Sequence, residues 1–171
     1  KLIKYLTKPA IFFDRDNTIN YDEGYTYKYN NFKFINNSIN ALKYLSKKNN
    51  YIFIVTNQAG IAKGYFTEKN FCNLHTKLKK KLIQKKIFVN EVKYCPYHPK
   101  AKYKKYRKKT SLRKPGNLMV NQIMKKWAIN KKKSFMIGDK ISDQKCAEKS
   151  NINFQFVKKD ILKQIKNLKL N

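Results

Sequence analysis

The segment FFDRDNTIN places two carboxylates, Asp14 and Asp16, two positions apart directly after a short apolar run. Side by side, two such groups repel one another unless a positive charge stands between or beside them. A magnesium ion meets that need, because it takes a few carboxylate oxygens together with waters and a substrate phosphate. Asp14 is then free to attack phosphorus, and Asp16 to give a proton to the leaving alkoxide and later take one from water. An isolated D-x-D would serve equally well as a turn or a helix cap, so the chemistry depends on the rest of the chain.

Three further segments support it. VTNQAGIAKGYF sets the Thr56 hydroxyl and the Asn57 amide at the end of a second apolar run, within reach of transferring phosphoryl oxygens. SLRKPGN supplies Arg113 and Lys114 before a helix start, so that a cation balances charge on a phosphoryl group and the nearby aspartates. FMIGDKISD carries Asp139 and Asp143 around another helix start, adding a carboxylate for the metal, although acidic residues there also complement a helix N-terminus. Each segment is weak alone. Their common order, each just past or shortly after a predicted strand, points to one catalytic centre.

The elements that must position these groups read as an alternation. Ala10 to Phe13, Tyr51 to Val55, Val92 to Cys95, Phe135 to Ile137 and Ile152 to Val157 are short, β-rich and apolar, as buried parallel strands are. Between and after them, Ser38 to Lys48, Thr67 to Gln84, Asn117 to Ala128, Ser142 to Lys149 and Asp160 to Asn167 read as helices. The order βαβαβαβαβα predicts an α/β fold, a parallel sheet with helices on both faces and its functional loops at the carboxyl ends of the strands. Residues 1–171 are expected to form one domain. Residues 100–114 form a long, lysine-rich, irregular segment, and a loop of that length in a compact domain is more often functional than idle.

The net charge of +30 would by itself suggest a nucleic acid, an anionic membrane surface or a polyanionic substrate. Among the 40 basic residues, however, only Arg15, Arg107 and Arg113 are arginine, the residue that base-edge and bidentate phosphate recognition favours. Abundant Lys, Asn and Ile with scarce Ala and Gly look like coding from an AT-rich genome, so nucleic acid is not expected as a partner. No stretch reaches the roughly 20 apolar residues of a membrane span, and the first residues lack the features of a signal peptide. Cys72, Cys95 and Cys146 show no disulfide or complete zinc spacing. A cytoplasmic monomer acting on a small phosphorylated metabolite is the expectation.

With all four segments in place, the chain resembles the haloacid dehalogenase (HAD) phosphatases over nearly its whole length: Asp14 and Asp16 match the first motif, Thr56 the second, Lys114 the third, Asp139 and Asp143 the fourth. FFDRDNTINYDEGY, VTNQAGIAKGYFTE, YCPYHP, RKPG and GDKISD resemble more narrowly the D-glycero-D-manno-heptose 1,7-bisphosphate 7-phosphatases, a capless branch that includes the histidinol-phosphate phosphatases. The resemblance implies a three-layer Rossmannoid fold without a large cap domain. It implies Asp14 as nucleophile, Asp16 as acid and base, Thr56 and Lys114 on the phosphoryl group, and Asp14, Asp16 and Asp139 on magnesium, with Asp143 behind them. Arg113 would recognise substrate, and Asp22, Glu23, Gly24, Tyr25, Asn57, Gln58, Ala59 and Lys140 would line the sugar-phosphate pocket.

Two departures stand out. Of the four zinc positions of that branch only Cys95 remains, with Tyr97, Thr110 and Leu112 at the others, and Cys95 with His98 cannot complete a four-coordinate site. A structural zinc is therefore expected to be absent, leaving the loop either held by packing of Tyr97, Tyr103 and Tyr106 or mobile. Asn17 stands where Gly is common, and Asn is the best-tolerated alternative at positive φ.

Overall fold

The computed structural model describes residues 7–170. Five parallel strands form the central sheet: β1 (Ala10–Phe13), β4 (Tyr51–Asn57), β5 (Glu91–Cys95), β6 (Phe135–Gly138) and β7 (Asn153–Phe156), in the order β5-β4-β1-β6-β7. The strand that carries the first aspartates is thus central, flanked by β4 and β6. Its four residues are all fully buried, and alternate side chains serve opposite faces. Ile11 and Phe13 pack on one face with α1 (Ser38–Lys47) and α6 (Ile161–Lys166); Ala10 and Phe12 pack on the other with α4 (Leu118–Lys126) and α5 (Ile141–Ser150). These are the two helical layers predicted, and each fully buried Phe or Ile contributes roughly 1.5–3 kcal/mol to them.

Several boundaries differ from the sequence reading. β4 runs two residues past Val55, so Thr56 and Asn57 pair in register with Tyr94 and Cys95 on β5 instead of opening a loop. Two short elements had no periodicity to betray them: the antiparallel pair β2 (Asn20–Tyr21) and β3 (Lys33–Phe34), and the helix α2 (Ala59–Lys63). The long helix α3 (Glu68–Gln84) begins at a capping box, in which Thr67 Oγ1 accepts from the Asn70 N–H and Asn70 Oδ1 accepts from the Thr67 N–H. Phe71, Leu74, Leu78 and Leu82 form its buried stripe.

At the carboxyl edge of the sheet, among the described residues, the chain adds the β2–β3 region, the short helix α2 and the long loop after β5. Among those residues no helix is long and apolar enough to cross a membrane.

Candidate active site

β1 ends at Phe13, and the chain turns at once. The Asp14 N–H donates to the Ile137 carbonyl of β6, which fixes Asp14 at the sheet's edge, and Asn17 turns the backbone back at φ 58°. Asn at that position does more than tolerate the left-handed conformation: its Oδ1 accepts the Asp22 N–H at 3.1 Å, a bond Gly lacks.

Lys114 is the hub of the site. It is only 2% exposed, and its Nζ lies 3.0 Å from Asp14 Oδ1 and 2.6 Å from Asp143 Oδ1, while donating to the Val55 carbonyl at 2.8 Å. Burial opposes its charge, but Asp14 and Asp143 outweigh that and hold its pKa above the ordinary lysine value. Its backbone is fixed by a reciprocal pair with Asn57, whose side-chain amide donates to the Lys114 carbonyl and accepts from the Lys114 N–H, both at 3.0 Å. Asn57 therefore aims Lys114 as well as lining the cleft.

Asp143, fully buried in the first turn of α5, accepts the Lys140 N–H at 3.0 Å. Burial pushes its pKa up, against the pull of Lys114 and with the push of Asp14. Gly138 leaves room for it, since a Cβ there would run into the Asp143 carboxylate. Asp139 is also raised by burial, with Lys140 opposing and Asp14 and Asp143 reinforcing.

Asp14, Asp139 and Asp143 each bring a carboxylate oxygen within 4.8 Å of the others. Asp139 Oδ1 is buried without a hydrogen-bond partner. Converging carboxylates and an orphaned buried oxygen fit a hard divalent cation. Because Asp143 is spent on Lys114 and the helix start, Asp14 and Asp139 are the carboxylates suited to be direct ligands.

The Asp16 carboxylate stands outside that cluster. It receives Arg15 Nε at 2.9 Å and Nη2 at 2.8 Å, Asn20 Nδ2 at 3.2 Å and Gln58 Nε2 at 2.9 Å. Gln58 also donates to Thr56 Oγ1 at 2.8 Å, linking Asp16 to the strand β4. Gln58 is thus turned inward as an organiser rather than toward the cleft. Arg15 itself is fully buried, donates to the Thr26 carbonyl at 2.8 Å and lies 3.3 Å from His75 Nε2. Burial and the Arg15 charge push His75 down to about 3, so the guanidinium has a neutral neighbour. The sequence reading passed over Arg15; an arginine between two aspartates in a chain this poor in arginine was the available signal.

The cleft over these groups encloses about 280 Å³ and is lined by Asp14, Asp16, Asp22, Tyr25, Thr56, Asn57, Ala59, Arg113, Lys114 and Lys140, with Ser142 and Asp143. Glu23 and Gly24 instead line an adjoining hollow of about 350 Å³ that shares Tyr25 with the cleft. A mainly apolar cavity of about 370 Å³ lies behind Arg15 and contains none of the site aspartates. The converging carboxylates and Lys114, not cavity size, single out the first cleft as the candidate site.

Residues 96–114 lead to Arg113 and Lys114, the two of them that line the cleft. The Tyr97 and Tyr106 rings lie 6.2 Å apart, and Lys108 Nζ stands 3.8 Å from the Tyr97 ring centroid. Cys95 Sγ donates to the Tyr97 carbonyl, the Thr110 hydroxyl accepts the Leu112 N–H, and Leu112 packs against a core cluster. Tyr103 is 45% exposed and covers Gly64.

A family model described as Polynucleotide kinase 3 phosphatase matches residues 9–157. The D-glycero-beta-D-manno-heptose-1,7-bisphosphate 7-phosphatase of Haemophilus influenzae is 40% identical over 136 residues, covering 80% of this chain and 73% of that protein. The protein of the same name from Escherichia coli (strain K12) is 38% identical over 144 residues, covering 84% of this chain and 75% of its own length. Among solved structures, a D,D-heptose 1,7-bisphosphate phosphatase from B. bronchiseptica, complexed with magnesium and phosphate, superposes with a TM-score of 0.78 at 21% identity, covering 95% of this chain and 88% of that one. At that identity the likeness is one of fold.

Proposed function

The chain belongs to the HAD superfamily of phosphatases, in the family of the heptose-1,7-bisphosphate 7-phosphatases, and from that membership we propose that it removes the 7-phosphate of D-glycero-D-manno-heptose 1,7-bisphosphate, in the biosynthesis of nucleotide-activated heptose for surface polysaccharide. The observation that carries the chemistry is the buried Lys114 held between Asp14 and Asp143 beside the unpaired Asp139 oxygen.

Asp14 attacks phosphorus, forming a carboxyl–phosphate bond as the bond to the sugar oxygen breaks. Asp16, which begins the cycle protonated, turns from Gln58 toward that oxygen and gives it the proton. Water then attacks the phosphorus of the aspartyl-phosphate, Asp16 takes the water's proton, and inorganic phosphate leaves with Asp14 restored. Lys114 and the Thr56 hydroxyl hold the phosphoryl oxygens during both steps, in a site whose groups are already oriented. Magnesium, held by Asp14 and Asp139, supplies positive charge that offsets the phosphate and the aspartates when bound. Arg113, Lys140, Asp22 and Tyr25 face the remainder of the substrate.

The description of the matching family model favours a second reading, a polynucleotide 3′-phosphatase with the same core, and the net charge of +30 agrees with it. Histidinol phosphate is a third substrate the same aspartates would serve. Phosphate release with magnesium, measured on heptose 1,7-bisphosphate, histidinol phosphate and a 3′-phosphorylated oligonucleotide, separates them. The expected result is a kcat/KM for the bisphosphate at least roughly 10²-fold above the others, since unmatched polar contacts commonly cost that much. A higher value for either rival would reassign the substrate.

A further inference from the structure

We propose that Glu68 is a positioning residue for substrate recognition: with Tyr106 it clamps the loop after β5 so that Arg113 is presented to the cleft. The proposal rests on Arg113 binding the part of the substrate remote from Asp14, as in the function above.

Glu68 stands in the first turn of α3, outside the catalytic cluster. In a chain with 40 basic residues and ten acidic ones, it makes no ion pair among the described residues. Its two oxygens instead accept from two phenols, Tyr94 on β5 at 2.6 Å and Tyr106 in the loop at 2.8 Å. Burial and then Glu68 push Tyr106 up to about 12, so near neutral pH its hydroxyl keeps the proton it donates.

The contact continues to the cleft in two steps. The Tyr106 carbonyl accepts the His98 N–H at 3.1 Å, and its ring lies against Tyr97. The Tyr97 carbonyl in turn accepts Arg113 Nη1 at 3.5 Å. Arg113, half-buried, has no carboxylate partner among the described residues, so most of its guanidinium donors are left for an anionic or hydroxylated substrate. A guanidinium placed by one long contact depends on what fixes the carbonyl beneath it, and the Glu68–Tyr106 bond, acting through the Tyr97 and Tyr106 rings, shares that task with Cys95 Sγ, which donates to the same carbonyl.

Tyr106→Phe removes the hydroxyl and keeps the ring. It is expected to raise KM for heptose 1,7-bisphosphate roughly three- to tenfold, the loss of about one hydrogen bond's worth of binding. kcat should stay within about twofold, and kcat/KM for p-nitrophenyl phosphate, which offers Arg113 nothing remote to bind, should not change. Glu68→Ala should show the same split more strongly, and Glu68→Gln, which keeps an acceptor, should fall between wild type and Glu68→Ala. Thermal melts by circular dichroism identify any variant that is simply unfolded, in which case the Tyr106→Phe and Glu68→Gln pair decides. Equal losses on both substrates, or a fall confined to kcat, would overturn the clamp, as would an unchanged KM in the variants when the wild type prefers the bisphosphate. A wild type with no preference for the bisphosphate over the p-nitrophenyl ester would overturn the functional reading and the clamp's role with it.

Discussion

Lys114→Met should cost the protein both stability and turnover. The side chain is about the same length but carries no charge, so Asp14 and Asp143 remain packed together with nothing positive between them. Removing one partner of a buried ion pair typically costs about 3–5 kcal/mol, which for a chain of this size lowers the melting temperature by roughly 6–20 °C. kcat/KM should fall by at least about 10²–10³, the scale of losing one preorganised charge or donor at a developing anion.

The stability loss should also depend on pH. The raised pKa of Lys114 means its contribution is fully present at neutral pH and is lost only as pH rises through a value above 10.5. In the variant the raised Asp143 carboxyl loses the charge that pulls it down and keeps only the Lys140 N–H. A carboxyl with a raised folded-state pKa favours folding below its ordinary value of 3.8 and loses that contribution as pH rises through the folded value. The gap in melting temperature between variant and wild type should therefore narrow as pH is lowered toward the carboxylate range. A gap that widened on acidification would contradict the Lys114–Asp143 pairing.

Asp14→Asn should separate catalysis from folding. The amide cannot form an acyl phosphate, so kcat/KM is expected to drop by at least about 10⁴, as for other removed nucleophiles. Lys114 keeps its 2.6 Å contact with Asp143, and the repulsion of Asp14 on Asp139 and Asp143 disappears. Thermal stability should accordingly stay within about 1 kcal/mol of wild type, opposite terms offsetting one another. Activity within tenfold of wild type would remove Asp14 from the mechanism.

The contrast between these two residues also shows what the sequence could reveal. Asp14 and Asp139 were legible because each follows an apolar run, and a parallel sheet collects such positions at one edge, whereas Lys114 was legible from its place before a helix start. The same runs predicted both faces of the sheet, since Ile11 and Phe13 alternate with Ala10 and Phe12. What could not be read were contacts made across the fold by residues with ordinary local roles. Asn57 looks like a phosphate ligand, yet its amide also pairs with the Lys114 backbone, fifty-seven positions away. Gln58 reads as a pocket residue but turns toward Asp16 and Thr56. Arg15 is hidden as the middle residue of D-x-D, although it makes the shortest contact to Asp16. Glu68 has the local appearance of a charge at a helix start, and only the fold brings Tyr94 and Tyr106 to it. The hairpin β2–β3 is too short for any period to show.

The mechanism turns on a bond between Asp14 and phosphorus, and that bond is open to direct detection in the Asp16→Asn protein. Acetyl phosphate with magnesium is the suitable donor, because its leaving carboxylate needs no proton from Asp16, whereas breakdown of the acyl phosphate still requires a base. After rapid acid quenching, mass spectrometry should find one added phosphoryl group, located by peptide mapping on Asp14. Finding no phosphorylated enzyme, together with turnover surviving in Asp14→Asn, would mean that water attacks the substrate directly and that Asp14 is not the nucleophile.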